Sequence, residues 1–389
     1  MKTRFVFVLL VVAAGLALVS ILASAGLGGW AQVNPSGFGN AGNAGITALA
    51  VFDEQIYAGT ASAAGGSAEL WRSRDGLSWT SVVTPGFGIT RNVGIDYLCV
   101  FGNQLYAGTW ADEILGGEIY RSRNGTDWTQ VANRGFGDPN NAEIFRLTVY
   151  GSNLYASAMS YTSTHGAELW RSSSGNSNSW TRVVSNGFGD AQNSSINCFE
   201  AFNNYLYAGT WSWSTGGEVW RSANGNAGSW TQVNQNGFGE AANHAVSALT
   251  AFNGYLYAAT GHDSGGGSQV WRCQTCNGSD WQKVADNGFG NPETRGTPAL
   301  EVYAGRLYLV VGNRTTGMEV WRTQSGTVWE RVASGGFGDD RNVAPYWDNA
   351  VAVFQERLFV GTQNYARGGQ IWLYLPRQVY LPVVKRNHE

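Results

Sequence analysis

The chain has 389 residues, of which 14% are charged and 43% hydrophobic, a balance that supports a large buried core and excludes a disordered chain. Its 25 basic and 28 acidic residues leave a net charge of -3, so the basic footprint of a nucleic-acid binder is missing and no nucleic-acid partner is expected. The 53 glycines and 17 tryptophans supply turns and large rigid contact area, which together with the low charge point to an all-β exported protein.

The first element is an export signal. Lys2 and Arg4 precede an apolar stretch from Phe5 to Leu22, and Ala23-Ser24-Ala25 follows as a small-x-small cleavage pattern. Residues 1–25 therefore read as a secretory signal peptide, with the protein secreted or at the cell surface. The rival reading is an uncleaved anchor, because the run approaches one membrane span. A membrane enters only in that case.

From there a repeat governs the chain. Gly-Phe-Gly occurs seven times, centred on Phe38, Phe87, Phe136, Phe188, Phe238, Phe289 and Phe337, with gaps of 49, 49, 52, 50, 51 and 48 residues. A period near 50 residues fits a four-stranded propeller blade. The fourth unit shows the ordered signals: a strand over 195–202, an Asn203-Asn204 turn, an alternating strand from Tyr205 to Thr210, and a variable loop to Gly216-Gly217. A third strand at Glu218-Val219-Trp220-Arg221-Ser222, an Asn224-Gly225 turn and a fourth strand over 229–233 complete it. Short strands between Gly/Asn turns make an antiparallel blade. The seventh unit lacks its fourth strand, and Trp30-Ala31-Gln32-Val33 near the N-terminus matches Trp230-Thr231-Gln232-Val233. The expectation is an all-β, seven-bladed β-propeller over residues 26–374, four antiparallel strands per blade, the last blade closed by the N-terminal strand, which pairs the two ends and removes an exposed sheet edge.

Two connections of each blade share one face: the link to the next blade and the loop between the second and third strands. In the links, Asn43, Asn92, Asn141, Asn193, Asn243 and Asn342 recur at one position, with Thr294 as the exception. Either these asparagines close a tight crossover, since Asn bonds nearby backbone and tolerates positive φ, or they form a ring of equivalent polar sites for sugars. Of the residues just after Gly-Phe-Gly, Asp138, Asp190, Glu240 and Asp339 are acidic. Oxygen ligands suit Ca²⁺, but no EF-hand-like cluster accompanies them, so calcium is a weak signal and no cofactor is expected. In the variable loops, Trp110, Trp211 and Trp213 follow a shared Gly-Thr pair, while Tyr161, His262 and Tyr365 take equivalent positions. Such rings can stack on sugar faces beside polar side chains, or simply cover their own loops. The Trp of each third strand (Trp71, Trp170, Trp220, Trp271, Trp321) is read as packing, and the Arg after it as pairing with the neighbouring hairpin or the preceding Glu.

Cys273 and Cys276 frame a hairpin as Cys-x-x-Cys, which in an exported chain reads as a local disulfide. Cys99 and Cys198, in first strands of non-adjacent blades, read as buried thiols. Residues 375–389 form a tail.

The segments Ser73-Arg74-Asp75-Gly76-Leu77-Ser78-Trp79 and Ser122-Arg123-Asn124-Gly125-Thr126-Asp127-Trp128 resemble the Asp-box, or BNR, hairpin of sialidase-like propellers; kelch-type propellers share the strand rhythm. The resemblance implies a structural hairpin away from the ligand face, its Asp or Asn closing its own turn and its Trp packing between blades. A sialidase-like enzyme would also need three arginines, a tyrosine helped by a glutamate, and an acidic Asp. Arg91, Arg146, Arg295, Arg341, Asp96, Glu143 and Asp348 are the residues able to approach the channel mouth, and no motif fixes them as a catalytic set. The tail segment Val379-Tyr380-Leu381-Pro382-Val383-Val384-Lys385-Arg386 resembles a short tail found on many exported bacterial proteins, which implies sorting or surface association. The sequence thus points to an exported, non-catalytic binding or scaffold propeller recognising carbohydrate through loops on one face. Its alternatives are a sialidase-like glycoside hydrolase at the central channel, and a scaffold for envelope proteins.

Overall fold

The computed structural model describes residues 29–376 apart from 64, 112–114, 163, 213, 263–265, 297–298, 314 and 345–349. The apolar segment ending at Ala25, Trp213, Asp348 and the tail beyond residue 376 lie outside the described residues.

The described strands pair into seven four-stranded antiparallel meanders, one per sequence repeat. Blade 1 is representative. Its innermost strand Gly45–Phe52 pairs with Gln55–Ala61, which pairs with Leu70–Ser73, which pairs with the outer Thr80–Ser81. A tight turn at Asp53-Glu54, both with positive φ, joins the first two strands; Asn203-Asn204 does the same in blade 4, because Asn and Asp accept the left-handed region most readily. Single bridges such as Trp110↔Glu143 and Trp211↔Ala245 link neighbouring blades along the same face.

The ring closes as the repeat arithmetic demands. Trp30–Gln32 pairs antiparallel with Ile371–Tyr374, in the register Trp30↔Tyr374, Ala31↔Leu373 and Gln32↔Trp372. The fourth strand of blade 7 thus comes from the other end of the chain, and the fold is the expected β-propeller.

Each Gly-Phe-Gly forms a single helical turn in which Gly and Phe both take the left-handed conformation, Phe38 at φ 56° and Phe188 at φ 66° among them. A left-handed non-glycine residue costs about 1–2 kcal/mol. What holds the Phe there is a three-ring contact repeated around the ring. Phe38 lies flat on Trp71, with centroids 4.4 Å apart, and meets Trp79 edge-on at 5.7 Å. Phe188 does the same with Trp220 and Trp230. The Phe therefore plugs the seam between one blade and the next, and the third-strand Trp is packing, with Tyr120 in its place in blade 2.

The hairpins carry the local bonds that the resemblance implies. Asp75 Oδ1 accepts from Ser73 Oγ and from the amides of Leu77 and Ser78, all at 2.8 Å. In blades 1 to 4 the third-strand arginines reach the next hairpin rather than the preceding Glu: Arg72 donates to Asn124 O, Arg121 to Asn176, Arg171 to Asn226, and Arg221 to Thr275 O and Cys276 O, whereas Arg322 pairs with Glu330 of its own blade. Cys273 and Cys276 are disulfide-bonded. Cys99 is only half-buried and Cys198 is buried; burial pushes both thiols up to about 12.

Candidate functional site

The link asparagines turn inward. All six are fully buried, and each amide is spent twice. Asn193 Nδ2 donates to Gly187 O at 3.0 Å and to Glu218 Oε2 at 2.7 Å, while its Oδ1 accepts from Thr210 Oγ1. Asn43, Asn92 and Asn141 meet Glu69, Glu118 and Glu168 in the same way; Asn243 and Asn342 meet Gln269 and Gln370. The same carboxylate or amide oxygen takes the ring N–H of the third-strand Trp, as in Trp220 Nε1 to Glu218 Oε2 at 2.7 Å. A buried acid is tolerated only when its lone pairs are satisfied in this manner. These asparagines lock the seam. The sequence carries the matching signal, a Glu or Gln two residues before each third-strand aromatic, but the partners lie about 26 residues apart and read as separate repeats.

The acidic residues that follow Gly-Phe-Gly are likewise engaged locally. Asp138 and Asp190 cap the amides of Asn140 and Gln192, Asp339 pairs with Arg341, and Glu240 with Lys283. Among the described residues no group of three or more His, Cys, Asp or Glu side chains could hold a metal ion, and no described helix is long and apolar enough to cross a membrane.

The candidate aromatics separate into two kinds. Trp110 and Trp211 end second strands instead of rising in loops, Trp211 buried against its neighbour blade. His262 is buried beneath Gly266, where an added Cβ would come within 2.9 Å of its ring. Tyr161 and Tyr365 project to solvent, 49% and 67% exposed; the hydroxyl of Tyr365 accepts from Gln363 Nε2 at 2.7 Å.

Tyr161 marks the place where chemistry gathers. Its hydroxyl donates to Glu143 Oε1. Glu143 begins the innermost strand Glu143–Tyr150 and is the register partner of Trp110. Only 5% exposed, its carboxyl is pushed up to about 7 by burial, against the opposing pull of the Tyr161 hydrogen bond and the Arg146 charge. Arg146, buried on the same strand, donates to Phe145 O at 2.8 Å, and its guanidinium lies 4.4 Å from the Phe145 ring and 5.3 Å from that of Tyr97. On the adjacent innermost strand, Asp96 is also buried. A Cβ at Gly94 would meet Asp96 Oδ1 at 2.7 Å and the Trp110 ring at 3.1 Å, so carboxylate and indole crowd the same backbone. One seam, between blades 2 and 3, therefore collects a half-exposed tyrosine, a tryptophan, an arginine and two buried carboxyls. Of the strand-one residues singled out in the sequence, Asp96, Glu143 and Arg146 converge here.

No family model and no curated protein sequence matches the chain. Solved structures do. The chain is similar to a GH74 xyloglucanase from Xanthomonas campestris, with 17% identity and a TM-score of 0.55 over 88% of this chain and 53% of that one. It is also similar to a polysaccharide lyase (9%, 0.52, 88% and 92%) and to a prolyl endopeptidase (10%, 0.51, 87% and 51%). The chain thus spans about half the length of the xyloglucanase and of the endopeptidase. Likeness at these identities establishes the β-propeller fold, a scaffold that serves unrelated chemistries.

Proposed function

We propose that the chain is an exported, seven-bladed propeller of the Asp-box kind that binds carbohydrate at the channel mouth, on the seam between blades 2 and 3. Residues 1–25 act as its export signal, and the tail over 375–389 associates it with the cell surface. The observation that carries the reading is the Tyr161–Glu143 hydrogen bond. It holds a half-exposed ring as a stacking platform beside carboxylate and guanidinium groups suited to hydroxyls. Two of the three fold relatives act on polysaccharide by name, which agrees with this class of ligand. Titration of the intact chain with soluble polysaccharides tests it, alongside the Tyr161→Ala variant. Binding weakened at least about tenfold by the variant supports the reading; unchanged binding, or none to any polysaccharide, overturns it.

A second reading, glycoside hydrolysis at the same seam, is favoured by one feature: a buried carboxyl held near neutrality is a ready proton donor. Glu143 would protonate the departing glycosidic oxygen, and Asp96 would take the proton from the attacking water. Release of reducing ends, lost in Glu143→Gln, distinguishes hydrolysis from binding alone. Capture of an envelope protein with no sugar binding would instead support a scaffold.

A further inference from the structure

The innermost strands of blades 2 to 6 also enclose a cavity of about 320 Å³ in the central channel. Two acidic side chains stand in its wall. Glu200 and Glu301 occupy one register position, two residues before the aromatic that ends each innermost strand (Phe202, Tyr303). One Glu200 oxygen accepts from the Ala251 amide at 3.2 Å. Among the described residues no hydrogen bond or ion pair engages the Glu301 carboxylate. The other titratable groups in the wall are Tyr97, Cys198 and Arg146. Burial holds Tyr97 and Cys198 neutral, each pushed up to about 12, and Cys99 beside Tyr97 likewise. The ionisable set is therefore two carboxyls, raised by burial to about 7 so that they ionise around neutrality, against one guanidinium, and Arg146 is already bonded to Phe145 O and packed on Tyr97.

Two further polar residues line the same cavity. Register shifts at Ile196/Cys198 and Val246/Ala248 place Asn197 and Ser247 at bulges, which re-aim a side chain out of the strand's alternation. Asn197 is 1% exposed; its Oδ1 accepts from Ser195 Oγ, while its Nδ2 has no partner among the described residues. Ser247 is 8% exposed, and its hydroxyl has none among them either. Buried donors of this kind are costly unless something accepts from them. Needed together are a positive charge or hydroxyl hydrogens for the carboxylates, and oxygens for the amide and the serine. An amino sugar offers all three.

We propose that this cavity binds an amino-sugar residue, its ammonium and hydroxyl groups on Glu200 and Glu301 and its oxygens on Asn197 Nδ2 and Ser247 Oγ. The excess of acid over base in the wall selects against uronic and sialic acids. None of these four residues belongs to the mouth seam; Arg146 lines both, and the Tyr161→Ala arm of the test separates the two.

Calorimetric titration of the intact chain with glucosamine, glucose, glucuronate and a glucosamine tetramer tests it. At about pH 7 glucosamine binds at least about tenfold more tightly than glucose, and glucuronate gives no binding. The preference falls away near pH 5.5 as the carboxyls protonate. Glu200→Gln and Glu301→Gln each abolish it in a chain that still unfolds cooperatively, and Tyr161→Ala leaves it intact. Absence of binding, equal affinity for the three monosaccharides, survival of the preference in both Gln variants, or its loss in Tyr161→Ala would each overturn the proposal. Tetramer binding without monomer binding would overturn the one-residue site and return the sugar to the mouth.

Discussion

Trp79 Nε1 donates a hydrogen bond to the carbonyl of Val33, 3.0 Å away, while the Val33 amide bonds Ile371 O at 2.9 Å. The N-terminal strand therefore touches both the blade it completes and the first blade, and the ring is closed through it. Such closure pairs the otherwise free edge of Ile371–Tyr374.

The closing strand is expected to contribute much of the stability of blade 7. Trp30 is buried, with its ring 5.0 Å from that of Phe337 and 4.8 Å from that of Tyr374. Truncating a buried aromatic of this size costs about 3–5 kcal/mol. Trp30→Ala should lower the urea midpoint accordingly with the slope of the transition unchanged, whereas Val328→Ala, at an exposed hairpin position, should leave it where it is. Equal midpoints for the two variants would show that the ring does not depend on its closure.

Asn193 should behave as a seam residue and not as a ligand contact. Removing its amide leaves Gly187 O and Glu218 short of donors and the Thr210 hydroxyl short of an acceptor. A buried polar group so orphaned costs about 1–3 kcal/mol. Asn193→Ala is expected to destabilise by that amount, read from chemical denaturation, with polysaccharide affinity unaltered. Weakened binding at full stability would return the asparagine ring to the ligand face.

The ring was legible in the sequence because its signals are local and repeated: a turn of Gly-Phe-Gly, an Asn four residues on in six of seven links, a third-strand aromatic two residues after a Glu or Gln. Closure followed from arithmetic, one strand missing at one end and one spare at the other. The site was legible only in pieces. Asp96, Glu143 and Arg146 could be placed on innermost strands, yet nothing in the spacing joined Tyr161 to Glu143, since that bond depends on how the loop folds back over the strand. Trp110 and Trp211 read as loop residues because the Gly-Thr pair before them looks like a strand end, but bridges to the next blade carry the strand further. Asn197 and Ser247 were invisible, because a bulge shifts the alternation by one residue without leaving a mark in composition.

The Cys273–Cys276 bridge closes a loop of sequence separation 3. The chain-entropy contribution of so short a loop is about 2 kcal/mol. It acts on a hairpin already tied by Asp280, which accepts from the amides of Gln274, Thr275 and Cys276. Arg221 of the preceding blade donates to the carbonyls of Thr275 and Cys276, so the hairpin has further anchors. Reductant should therefore lower the melting temperature by a few degrees and leave the fold intact; near-ultraviolet circular dichroism that collapses under reductant alone would mean that the bridge holds more than its hairpin.

Glu143 sets the last expectation. Burial raises its carboxyl from the ordinary 4.5 to about 7 in the folded chain, so the folded state holds its proton more tightly than the unfolded one. The stability this group contributes is fully present below about 4.5 and is lost as the pH rises through about 7. Glu200 and Glu301, also raised by burial to about 7, act in the same direction and window. The melting temperature should fall between about pH 5 and about pH 7.5, and Glu143→Gln should flatten that fall. Tyr161→Phe should do the opposite. The hydroxyl favours the ionised carboxylate, so removing it drives the carboxyl still higher and steepens the loss. Parallel curves for Tyr161→Phe and the parent would show that the hydroxyl does not govern the charge on Glu143, which burial and the Arg146 charge would then set between them.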